Sequence, residues 1–140
     1  YISDSNQKIE VYQDIALCKN EDDIQNIIDE IIDRFGNMPK ELENLIDIAR
    51  IKYMAKELQI EKIISRKTAV VFTFKTNGSE KEFKIDIPKL VKEYGSKIKF
   101  SAGIRPMITL EIGNNNERNI LNDTTKFLKW LVRDGYKVTI

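Results

Sequence analysis

The spacing of the apolar residues changes character near residue 60, and that change limits the folds open to the chain. Before it, hydrophobic side chains recur every three or four residues, the period of an amphipathic helix. After it they alternate in short runs, as strand residues do, until a last helical stretch near the end. This order predicts an α+β fold, with N-terminal helices and a C-terminal helix packed on a small antiparallel or mixed sheet. At 140 residues the chain is expected to form a single domain, with a helical part over 1–60 and a strand-rich part with a closing helix over 61–140.

The helical part divides into three. Ser5 or Asp4 can cap a first helix carrying Ile9, Tyr12 and Ala16 on one side, with Val11, Ile15 and Cys18 beside them. Asn20 can cap a second, with Glu21, Asp22 and Asp23 in the first turn, where carboxylates complement the macrodipole. Its stripe runs Ile24, Ile27, Ile28, Ile31, Ile32 and Phe35, and Gly36 suits a left-handed C-cap. Pro39 suits the first turn of a third helix, with Leu42, Leu45, Ile46, Ala49 and Tyr53 towards the core and an end near Gln59.

Residues 62–64 and 68–74 read as short strands. The Asn77-Gly78 turn signal, with Phe83, Ile85 and Ile87 alternating after it, predicts a hairpin. Pro88 opens a short helical turn through Leu90, Val91 and Tyr94, closed by Gly95. Residues 98–101 and 107–112 predict another strand pair around Gly103, and 117–133 a final helix with Ile120, Thr124, Phe127, Leu128 and Leu131 on one stripe. Trp130 lies one position off that stripe, so it is either a rim residue of the core or an exposed anchor for a partner. Tyr136, Val138 and Ile140 alternate as a last strand.

Several chemistries lack their residues. With no histidine and one cysteine, ordinary zinc sites and a serine–histidine triad have no ligands or base. Six scattered glycines form neither common phosphate-cradling pattern. Cys18 alone cannot form an internal disulfide; it suits a reducing cytosol and reads as a small buried hydrophobe. No apolar run is long enough to span a membrane. The chain opens on Tyr1 without an initiator Met, as expected of a piece of a longer protein.

Charge is divided unevenly. Residues 1–60 hold 7 basic and 13 acidic side chains, a net of −6, and residues 61–140 hold 16 and 9, a net of +7. Asp29, Glu30 and Asp33, with Arg34 following, share a face of the second helix. That face is either a solvated exterior or an acidic docking surface for a basic partner. One convex helix does not supply the converging oxygens that a metal needs. In the basic part, Lys75, Lys81, Lys84, Lys89, Lys92, Lys97 and Lys99 are interleaved with Phe83, Tyr94 and Phe100. A nucleic-acid-binding surface over 75–99 is therefore an alternative. However, Phe83 and Phe100 fall in phase with Ile85 and Ile98 and are expected in the core.

Two stretches go beyond such patterns. Residues 1–5, Tyr-Ile-Ser-Asp-Ser, and the Gln7-Lys8-Ile9-Glu10-Val11-Tyr12 that follows resemble the opening of the C-terminal (TRCF) domain of bacterial transcription-repair coupling factors, the Mfd family. Ile32-Asp33-Arg34-Phe35-Gly36-Asn37-Met38-Pro39 resembles that family's IDRFG-x-x-P signature, and Leu45-Ile46-Asp47-Ile48-Ala49-Arg50 its LL-x-x-AR segment. Ser3 departs from the usual proline. The resemblance implies a non-catalytic regulatory domain of a cytoplasmic, ATP-driven DNA translocase. ATP and Mg would belong to the parent's upstream motor, with no cofactor in this fragment. It further implies docking on the parent's own UvrB-like module, masking the surface that UvrA needs, while the parent meets RNA polymerase and DNA and no membrane. Asp29, Glu30, Asp33 and Arg34 are then the expected contact residues. Asp33 and Arg34 can equally brace the turn into Pro39. Phe35, Gly36 and Pro39 are expected to be structural.

Overall fold

The computed structural model describes residues 5–75, 84–113 and 116–136, with side chains from Ile9 onward. Among them are five α-helices and a four-stranded antiparallel sheet, an α+β fold as expected. The chain divides into two compact units, Tyr1–Tyr53 and Met54–Ile140.

The first unit holds α1 (Ser5–Ala16), α2 (Glu21–Phe35) and most of α3 (Lys40–Glu57). Asn20 caps α2: its side-chain oxygen accepts from the Asp23 backbone N–H at 2.8 Å, and the Asp23 carboxylate accepts from the Lys19 N–H at 3.0 Å. At the far end the Gly36 N–H donates to the Ile32 carbonyl at 2.8 Å, with φ +81°, a conformation that favours glycine. Val11, Ile15, Ile24, Ile31, Leu42 and Ile46 close a core between the three helices. Ile9 and Ile32 are left exposed, at 54% and 44%. Each lies about 80–160° around its helix from the residues that face the core.

The second unit begins with the last turn of α3 and builds the sheet. Its strands are β1 (Ile60–Arg66), β2 (Ala69–Phe74), β3 (Ile98–Ser101) and β4 (Met107–Glu111), in the order β1-β2-β4-β3. β1 and β2 form the hairpin, joined by Lys67 and Thr68, with Arg66 opposite Ala69. This differs from the expected hairpin. The Asn77-Gly78 turn and Phe83 lie outside the described residues. β2 already has β1 on one side and β4 on the other. Ile85 instead bridges Tyr136, and Ile87 starts α4 (Ile87–Tyr94). Val138 and Ile140 of the expected last strand lie outside the described residues. Asp86 caps α4 by accepting from the Lys89 N–H at 3.1 Å. α5 (Glu117–Asp134), capped by Asn116, buries Phe127, Leu128, Trp130 and Leu131. Phe127 sits 5.0 Å from the Phe72 ring, and Tyr94 meets Phe127 and Trp130 edge-on at 5.1 and 5.6 Å. Trp130 is thus a core residue, 8% exposed.

Candidate docking face

The residues singled out on α2 fall into two groups around the helix. Asp29 and Asp33 are one turn apart on the crest opposite buried Ile24 and Ile31, and both are exposed. Neither has an ion-pair partner among the described residues. Glu30 and Arg34 lie on the flank nearer α1 and pair with each other at 3.5 Å, their side chains 52% and 37% exposed. The Arg34 guanidinium also stands over the Phe35 ring, 5.5 Å from its centroid. An exposed i,i+4 pair of this kind contributes little to stability, so Arg34 can be redirected to an outside acceptor at small cost.

Glu30 also borders an open groove of about 390 Å³ between α1 and α2, with Asp14, Leu17, Cys18, Asp23 and Ile27 among its other walls. Leu17 is 71% exposed at its rim. Burial, then the charges of Asp23 and Asp14, push the Cys18 thiol above its ordinary value.

The start of α2 is held by a cluster that its sequence neighbours do not reveal. Arg50 on α3 donates to the Glu21 carboxylate through Nε at 3.1 and 3.3 Å and through Nη2 at 2.9 Å. Tyr53 adds its hydroxyl at 2.7 Å, and Asp47 backs Arg50 at 3.5 Å. Burial alone would raise the Glu21 carboxyl. The hydrogen bonds from Arg50 and Tyr53, with the guanidinium charge, hold it below its usual value. First-turn position had suggested only a dipole role for Glu21. Its partner Arg50 lies 29 positions away, inside the segment resembling LL-x-x-AR.

In the strand-rich part, Lys75, Lys84, Lys89, Lys92, Lys97 and Lys99 are exposed, and Lys81 lies outside the described residues. Tyr94 packs between Phe127 and Trp130. Phe100, expected in the core, is 36% exposed, because it stands near the end of a four-residue edge strand. No group of three or more histidine, cysteine or carboxylate side chains able to hold a metal occurs among the described residues. No helix there is long and apolar enough to cross a membrane.

The chain's likenesses to known proteins are consistent. The TRCF-domain family profile matches residues 1–85. Transcription-repair-coupling factors of Bacillus subtilis and Rickettsia typhi are each 31% identical to it, over all and 91% of this chain respectively. The Escherichia coli protein of the same name is 36% identical over 53% of the chain. The chain spans only 11–12% of the length of the first two. A crystal structure of a C-terminal domain of transcription-repair coupling factor matches the fold with a TM-score of 0.75 at 20% identity, covering 95% of this chain and 83% of that one.

Proposed function

The chain belongs to the TRCF-domain family, and from that membership we propose that it is a non-catalytic regulatory domain of a transcription-repair coupling factor. In this reading it docks on the parent's UvrB-like module and masks the surface that UvrA uses. The parent supplies the rest: an ATP- and Mg-dependent cytoplasmic motor that displaces stalled RNA polymerase on DNA and recruits excision repair.

The observation that carries the reading is the state of the α2 face. Asp29 and Asp33 are exposed, and Glu30 and Arg34 form an exposed pair, with Arg34 also over the Phe35 ring. Such a face offers carboxylates to a basic surface and a forked donor to an acceptor. Glu21, Arg50 and Tyr53 fix the start of the helix that presents it. A clamp of this polar kind is releasable, because only a few kcal/mol are needed to keep an open state rare.

The test reverses charge at Glu30 and Asp33 in the full-length parent. UvrA binding at rest rises if this face is the clamp. Affinity unchanged within about twofold, well under 1 kcal/mol, removes the face from that role.

A further inference from the structure

The sheet of the second unit has two unlike faces. Val70, Phe72, Phe74, Ile108 and Leu110 point to the side where Phe127 of α5 packs, and all are buried. Side chains alternate along a strand, so the residues between them face the other way. There the register sets Ile64, Val71, Thr109 and Lys99 in one cross-strand row. Lys62, Thr73, Met107 and Ser101 form the next. None of these eight is buried, and Met107 is 38% exposed.

The charge on this face is one-sided. Lys62, Arg66 and Lys99 are exposed and form no ion pair among the described residues. The carboxylate on the face, Glu111, already accepts from the Thr68 hydroxyl at 3.1 Å. Glu61, at the bulge in β1, is taken by Arg105 at 3.1 Å. An aliphatic centre with a cationic border remains.

We propose that this face binds an acidic amphipathic helix of a partner protein. Aliphatic side chains of that helix would lie over Ile64, Val71 and Met107, with flanking carboxylates meeting Lys62, Arg66 and Lys99. Charge complementarity selects the sign of the partner. The aliphatic centre selects protein over nucleic acid, since single strands are held by stacking on aromatic rings and this face presents none. Size agrees: four strands about 4.8 Å apart span roughly 14 Å, enough to seat a helix about 10 Å across. The inference is independent of the α2 docking face, which lies in the other unit and has the opposite sign.

The test titrates the isotope-labelled 140-residue chain with three probes: a synthetic helix with a leucine stripe flanked by glutamates, the same helix with lysines for glutamates, and single-stranded oligothymidine. The glutamate helix is expected to shift the amides of Ile64, Val71 and Thr109 with a Kd below about 100 μM. The lysine helix is expected to leave them unmoved. The triple variant Lys62→Glu, Arg66→Glu, Lys99→Glu should weaken the glutamate helix about tenfold or more, with an unchanged circular dichroism spectrum. Met107→Gln, at an exposed site the fold tolerates, should weaken it about fivefold even at high salt. Tighter binding of the oligonucleotide, shifts centred on α2, no binding, or self-association of the chain through this face would each overturn the proposal.

Discussion

The Tyr53 hydroxyl donates a 2.7 Å hydrogen bond to Glu21 across 32 positions of sequence, joining α3 to the first turn of α2. Removing that hydroxyl in Tyr53→Phe leaves the ring in place and takes one donor from a carboxylate. Chemical denaturation should show a loss of about 1–2 kcal/mol. A loss below a few tenths would mean that Arg50 and Gln25 hold Glu21 without the hydroxyl.

The same cluster predicts a pH dependence. Glu21 has a depressed carboxyl pKa in the folded chain. Its contribution to stability is therefore present above the unfolded value and lost as pH falls through the lower, folded one. Solvent screens part of this contribution, because the Glu21 side chain is 40% exposed. Glu21→Gln should be less stable than the parent at neutral pH. The gap should close as pH drops below about 4.5. Parallel denaturation curves at pH 7 and pH 3 check this; a constant gap would contradict it.

Backbone conformation at the helix ends gives a pair of opposite predictions. Gly36 adopts φ +81° with nothing within 4 Å of where a Cβ would stand, so Gly36→Ala carries a conformational cost alone, about 1 kcal/mol. Gln59, just past α3, adopts φ +60° without being glycine. Gln59→Gly should therefore stabilise the second unit, by about 0.5–1 kcal/mol. Urea midpoints of the two variants should move in opposite directions.

Thr124 is 2% exposed on α5, and its hydroxyl has no hydrogen-bond partner among the described residues. Thr124→Val keeps the shape and removes the orphaned group. It should stabilise the chain by about 1 kcal/mol, raising the melting temperature by about 4 °C. Destabilisation would reveal that the hydroxyl is satisfied after all.

Arg34 separates folding from docking. Its pairing with Glu30 is exposed, so Arg34→Ala should change stability by less than about 0.5 kcal/mol. Under the proposed function the same variant in the full-length parent raises resting UvrA binding. A large stability loss would instead assign Arg34 to bracing the turn into Pro39.

How far this structure was legible in the sequence depended on the distance between interacting residues. α2 was readable almost whole, because Asn20, the isoleucine stripe and Gly36 are local signals that agree. Asn77-Gly78 is a strong local turn signal that lies outside the described residues, whereas the hairpin between β1 and β2 has a weak one. The two-residue turn at Lys67 and Thr68 carries no glycine, and Lys67 itself takes φ +31°. Ile32 and Phe100 were misjudged because period fixes a face but not how much of it a neighbour covers. Arg50 and Glu21 lie 29 positions apart, and nothing in either stretch names the other. Asp29, Glu30, Asp33 and Arg34 were placed on an exposed face by spacing alone. The i,i+4 spacing of Glu30 and Arg34 also allowed their pairing.

Trp130, the chain's only tryptophan, is enclosed in the second unit with Tyr94 against its ring. Indole emission excited at its red edge thus reports directly on the packing of α5 against α4. It shifts when the packing of Tyr94 against that ring is lost.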